Sequence, residues 1–437
     1  MLSRTLPHRR KGSVTRHLAA CCLLIGLLTG STVVRAVELW SDEENDRSLA
    51  LDTTLKCTSL LSYAPDDPIL YPDRDSAVGL SRIRLDLNLN VRERMNAELA
   101  YEHRAQLVSG TAGLGAGAGV LPSFARAYYR LAQLDWQIAR HEDEFTYRHE
   151  LDRALVAFHP AWGEVTLGRQ AIGLGRGVLF GAVDIFAPFS PAEVDRDWRR
   201  GVDAVRVEYH TSDTSSVELL GAFGESWDDS AVIGRARGYV GDIDGELIVG
   251  KRAQDAMIAG AMSAIMWDAE AHIEIAVFHT PEARPEGRLF GDDHLVAKAV
   301  LGSSYTFDVG NGLTLLGEYH WSGFGIEDVG KGMARLADPA LQERLLRGDT
   351  QILGQHALAA QLGYPINASW FGALLVLQSP RDGSGLVSPA LAWDITDSTS
   401  LTTSAFIPWG ARPKNGRLRS EYGLTPISLF AQLSVVF

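Results

Sequence analysis

The sequence predicts an all-β chain, a transmembrane antiparallel β-barrel of about eighteen strands, with sixteen the next choice. Three observations predict it. Apolar residues recur with a period of two in many short segments, the signature of strands with one apolar face. No stretch of the 437 residues approaches eighteen consecutive apolar positions, so no membrane-spanning helix is expected. Tight turns alternate with long excursions, as they do between the two rims of a barrel in a bilayer.

The N-terminus comes first. Arg4, Arg9, Arg10, Lys11 and Arg16 form a basic region, an apolar run covers 18–28, and Val34-Arg35-Ala36 offers a small-residue cleavage site. This is the layout of a secretory signal, so residues 1–36 are expected to leave and 37–437 to form the barrel. Leu18-Ala19-Ala20-Cys21 has the look of a lipoprotein acylation site, but it precedes the apolar run instead of following it. It is read as a chance match.

Composition then narrows the function classes. Removing 36 of 437 residues leaves 401, with Cys57 as the sole cysteine, so neither an internal disulfide nor a cysteine-rich metal site is expected. The first 36 residues hold six basic residues and no acid. Losing them takes the formal charge from −13 to −19. Nucleic acid is excluded as a partner on that balance. Five lysines remain beside 30 arginines, and arginine grips carboxylate or phosphate with a planar fork.

The strands follow in order. Leu49, Leu51, Thr53 and Leu55 share one parity. In 81–91, Ile83, Leu85, Leu87, Leu89 and Val91 alternate with Arg82, Arg84, Asp86, Asn88 and Asn90, an aliphatic face against a wholly polar one. That contrast suits a wall between lipid and a wet lumen. Val205, Val207 and Tyr209 alternate with Arg206, Glu208 and His210. Ile273, Ile275 and Val277 alternate with His272, Glu274 and Ala276. Leu313 to Trp321 alternates directly after Asn311-Gly312, a strong hairpin signal. Leu358 to Tyr364 precedes a turn expected at Pro365, and 387–395 pairs with 401–407 across Asp397. The last strand, 424–437, carries Leu429, Ala431, Leu433, Val435 and Phe437 on one parity. Tyr and Trp gather near strand ends, where interfacial girdles sit.

Short turns are expected at Asn311, Pro365 and Asp397, and long excursions at 109–123, 171–201, 281–293, 322–354 and 408–423. Two segments do not read as strands. Residues 113–119 form a Gly/Ala loop, and 326–346 has helical spacing and high charge, as in a partly helical external loop. The stretch 253–269 is too uniformly apolar to show a face, and both strand and helix fit it.

The densest block is 167–209, which contains LGRQAIGLGRG and VDIFAPFSPAEVDRDWRRGVDAVRVEY. It resembles a motif of bacterial outer-membrane barrels of the porin and alginate-export type. Gly168, Arg169 and Gln170 end a strand, and Gly173, Gly175 and Gly177 make a Gly-rich turn. Asp184, Phe186, Pro188 and Phe189 follow, and Arg200, Gly201, Val202 and Asp203 start the next strand. A terminal strand ending in Phe437 is similar to the last strand of such barrels. The resemblance implies passive transport of an anionic solute or polysaccharide such as alginate, in an outer membrane.

Thirty residues between two strands are too many for an idle turn. Phe186, Phe189 and Trp198 give 171–201 an apolar side, while Arg176, Asp184, Arg196, Arg199 and Arg200 give it charge. The segment is expected to fold into the lumen and narrow it. The candidate pore-lining set is Arg82, Arg84, Arg169, Arg176, Asp184, Arg196, Arg199, Arg200, Asp203 and Arg206. No catalytic residue, metal ligand or cofactor is expected. Gly-x-Ser-x-Gly and His-Glu-x-x-His are absent, and the acid pairs at Asp66, Asp228 and Asp292 read as solvated loops. Outer-membrane lipid is the expected surround, and homo-oligomers are compatible with such a barrel. Two other readings stay open: a surface adhesin or polymer-assembly barrel without an open pore, and a barrel-wall lipid hydrolase.

Overall fold

A computed structural model of the chain describes residues 37–109, 119–122, 126–141, 144–186, 188–281, 294–332 and 336–437. The expected signal over 1–36, the Gly/Ala loop over 113–118 and the excursion over 282–293 lie outside these.

The described residues form twenty strands: β1 (Val37–Asp42), β2 (Arg47–Tyr63), β3 (Asp75–Val91), β4 (Met95–Ser109), β5 (Asp135–His141), β6 (Phe145–Phe158), β7 (Gly163–Gln170), β8 (Val202–Ser212), β9 (Ser215–Ala222), β10 (Ala231–Val240), β11 (Ile243–Arg252), β12 (Asp255–Met266), β13 (Ala269–His279), β14 (Leu295–Phe307), β15 (Leu313–Ser322), β16 (His356–Asn367), β17 (Trp370–Gln378), β18 (Gly385–Thr396), β19 (Thr399–Trp409) and β20 (Ile427–Val436). Eighteen of them make a closed antiparallel ring. β2 pairs with β3, β3 with β4, β4 with β6, each later strand with the next, and β20 returns to β2 through Tyr63↔Ile427 to Thr54↔Val436. Closure leaves no unpaired edge, the condition for strands to cross a bilayer. The two remaining strands extend lanes of the wall. β1 pairs with the first residues of β2, below the end of β20, and β5 pairs with β6 above β7.

The faces are inverted relative to a water-soluble protein. Val205, Leu219, Leu247, Ile258, Leu301 and Leu429 point outward and are exposed, while the charged parity of each strand points inward. An exposed aliphatic belt is what a bilayer covers. One rim has turns of two to five residues, such as Trp267-Asp268, where both residues have positive φ (49° and 67°) as a twisted two-residue hairpin requires. The other rim carries the long loops. One of them holds helix α1 (Pro339–Arg347), with Asp338 accepting from the Ala340 amide at its start and Gly348 left-handed at its end.

One expectation needs correction, and one open reading is decided. Pro365 does not turn the chain. It pairs with Phe371 inside β16, beside a bulge that absorbs its missing N–H, and the turn falls at 368–369. The ambiguous stretch 253–269 is strand β12, not helix. Its alternation is muted because the inward Met257, Ala259 and Ala261 face an apolar core instead of water.

Candidate functional site

The 171–201 segment, here called the strap, leaves β7 and returns at β8. Its first half is held by side chains from across the barrel. Strand parity turns Glu246, Glu274 and Glu318 inward from β11, β13 and β15. The Gly175 amide donates to Glu246 at 3.0 Å. Those of Arg176, Gly177, Ala182 and Val183 donate to Glu274, the last three at 2.7, 2.6 and 3.2 Å. Those of Val178, Leu179 and Phe180 donate to Glu318 at 2.7, 3.0 and 2.9 Å, and that of Gly181 donates to Gln351 at 2.8 Å. Nine consecutive amides thus find side-chain acceptors, in a stretch with no ladder partner of its own. Hydrogen bonds to a charged group contribute about 1.5–3 kcal/mol each.

The glycines of the motif follow from this. Gly175 has φ +90°, and a Cβ there would lie 2.1 Å from Glu274 Oε1. A Cβ on Gly177 would lie 1.9 Å from the Phe180 carbonyl oxygen. Only glycine lets the backbone come this close. The strap's apolar side chains, Ile172, Leu174, Val183, Ile185 and Phe186, pack on inward residues such as Leu220, Ile233, Ile248 and Phe278.

The second half of the strap meets the wall of β2 and β3. Lys56 Nζ donates to Asp195 at 2.6 Å and to Asp197 at 2.5 Å. Arg82 bridges Asp195 (3.0 Å) and Glu102 (2.8 Å). Trp198 lies against three cations, with Lys56 at 4.0 Å, Arg82 at 4.7 Å and Arg84 at 5.1 Å from its ring. The pairing continues around the wall. Arg84 meets Asp86, Glu98 and Asp152, and Arg104 meets Glu102 and Glu150. Arg130 meets Glu150 and Asp152, Arg153 meets Asp152, and Arg200 meets Glu150. This connected network holds seven cations and seven carboxylates. A bulge in β6, where Ala100↔Arg153 is followed by Tyr101↔Leu151, lets both Asp152 and Arg153 join it.

The ten residues expected to line the pore are distributed as follows. Arg82, Arg84 and Arg200 meet in this network, buried or half-buried among acids. Arg199 pairs with Asp184 at 2.5 Å and donates to the Phe186 carbonyl. Burial pushes the Asp184 carboxyl up to about 6 despite that partner. Arg176 pairs with Asp244 at 2.5 Å, and Arg206 with Glu218 and Glu208 at 2.8 Å. Arg196 donates to the carbonyls of Val178, Ser190, Pro191 and Glu193, so it holds the strap's own backbone.

Arg169 and Asp203 depart from the expectation. They form a pair at 2.7 Å on the parity of Val205 and Leu167, the outer face. The chain over 131–134 covers them there: Arg169 donates to the carbonyls of Ala132 and Gln133, and the Leu131 amide donates to Asp203. They fasten that segment to the wall and do not face the lumen.

Between the network, the strap and the end of α1 lies a cavity of about 210 Å³. Its charged lining is Arg82, Arg104, Arg126, Arg200 and Arg347 against Glu102, Asp152 and Glu193, with Tyr128, Phe189 and Trp198 beside them. Burial raises Glu193 to about 7, which weakens the negative side further near neutrality. Sequence reasoning passed over Lys56, Arg104, Glu246, Glu274 and Glu318. Their signal was the polar parity of strands otherwise read for their apolar faces. Among the described residues no three His, Cys, Asp or Glu side chains converge as a metal site would need.

The closed ring of eighteen, its unequal rims and its outward aliphatic belt define a porin-type barrel, the fold of bacterial outer-membrane barrels. Solved structures similar to this chain have that fold. OccK9 (OpdG) of Pseudomonas aeruginosa is 9% identical, with a TM-score of 0.52 over 89% of this chain and 98% of that one. OccAB4 and OccAB1 of Acinetobacter baumannii are each 11% identical, with a TM-score of 0.51, covering 89% and 92% of this chain and 98% of theirs. No family model matches the sequence, and no curated protein does.

Proposed function

We propose that the chain is an outer-membrane channel for passive diffusion of small anionic solutes, narrowed by the strap. The observation that carries this reading is the cavity of about 210 Å³ with five arginines against three acids at the strap's inner edge. These arginines also pair with acids behind the lining, so the preference rests on the groups that face the solute: a narrow passage lined mainly by groups of one sign favours solutes of the other. The volume lies below the range of about 300–1,000 Å³ usual for drug-sized ligands, which favours small solutes over a polymer. The alginate-export resemblance adds uronate oligomers to the solutes worth trying as blockers.

Planar-bilayer recording of the refolded protein under a salt gradient tests the reading. Discrete conductance steps with a reversal potential favouring anions are expected, and Arg200→Ala is expected to reduce that preference. Steps favouring cations would remove the anionic solute. A folded, heat-modifiable barrel that gives no steps would remove the channel.

A further inference from the structure

We propose that Asp195 and Asp197 act as a tethered counter-anion that sets the ion preference of the channel. The inference rests on the channel reading above. The network on the β2–β6 wall is balanced only because the strap delivers two of its seven carboxylates. Five belong to the wall itself, and of the seven cations only Arg200 comes from the strap, so within the network the wall and its adjoining loop carry one cation more than their own acids can match. The strap fills that deficit at one place. Lys56 is 1% exposed and gives its ammonium to both aspartates. Asp195 is also buried, and its second oxygen takes bonds from Arg82 and from Gln432 on the closing strand.

Asp197 is different. Its side chain is 70% exposed, and its only described ion pair is with Lys56. It is therefore an anion in contact with both a wall cation and water. A carboxylate or other oxyanion arriving along the wall would meet Lys56 already occupied by a carboxylate of the chain. Trp198, next in sequence, lies against the same ammonium and keeps the two acids in register with it. The arrangement gives the strap a second role besides narrowing. It masks part of the wall's positive charge and so moderates the attraction of anions.

The test is the reversal potential of full-length channels carrying Asp197→Asn, Asp195→Asn with Asp197→Asn, and Lys56→Met. Removing one unit charge next in sequence to Trp198, which lines the cavity, is expected to raise the anion-to-cation permeability ratio about fivefold in Asp197→Asn. The double variant is expected to raise it further, and Lys56→Met to lower it by leaving Asp197 without its cation. Asp197 is exposed, so its variant decides the question even if the double variant does not fold. A changed conductance with an unchanged ratio in Asp197→Asn would mean that the aspartates only hold the strap, and would overturn the proposal. Absence of steps in the unaltered protein would overturn the channel reading and this inference with it. Steps there with an unmoved ratio in Asp197→Asn would overturn this inference alone.

Discussion

Glu274 is the residue on which the strap depends most. It is fully buried and accepts from four amides of the strap. Glu274→Ala would leave those donors without acceptors, at about 1–3 kcal/mol for each one that stays buried. The expected outcome is a released strap, seen as larger conductance steps and new protease cleavage within 171–201; a variant unchanged in both would remove Glu274 from this role. The sequence placed Glu274 on the polar parity of its strand but not its destination, because that destination lies more than ninety residues away. Asp203 was more legible than the motif suggested. It shares the parity of Val205 and Val207, which alternation alone assigns to lipid.

The external loops are joined by contacts that strand patterning does not reveal. Glu421 accepts from the Leu353 and Gly354 amides at 2.8 and 2.6 Å, and its own amide donates to Asp382. One carboxyl thus clasps loops from three parts of the chain. Burial, helped by the Asp382 charge, raises Glu421 from 4.5 to about 7 against the pull of the two amides. An acid raised by folding prefers its protonated form there, so the clasp is firmest at acid pH. It weakens as pH rises from 4.5 towards about 7. Limited proteolysis of the folded protein is expected to cut these loops faster at about pH 8 than at about pH 5. Glu421→Gln is expected to abolish the difference, and the reverse trend would remove the clasp. Helix α1 was half legible. Its charge and spacing were visible, but its hold on the barrel was not: Arg344 and Arg347 pair with the buried Asp349, which also meets Arg252.

At the scale of the molecule, the eighteen strands were readable because nearly every one has an apolar face for lipid and a polar face for the lumen. Where the lumen side was apolar too, as in β12, the pattern faded. The strands β1 and β5 were not separable from their neighbours, since they lengthen existing lanes. The same alternation makes a prediction for Cys57, which shares the outward parity of Leu55 and Leu61 and contacts Ser81 at 3.9 Å. In vesicles this thiol is expected to resist a membrane-impermeant maleimide and to react after denaturation. Prompt labelling of the folded protein would contradict the assigned faces.

The seam between β2 and β20 has a kinetic consequence. Ser62 and Ser428 share a hydrogen bond although 366 positions separate them, and Phe437 exchanges backbone bonds with Thr53. All other ring pairings join strands that follow one another in sequence, save β4 and β6, which only β5 separates. The seam is the contact of greatest sequence separation, so loop-closure entropy makes it the last and slowest to form. Until it forms, the sheet has two free edges, each able to pair with another chain. Assembly is then a race between closing on itself and joining a neighbour, and dilution favours the barrel.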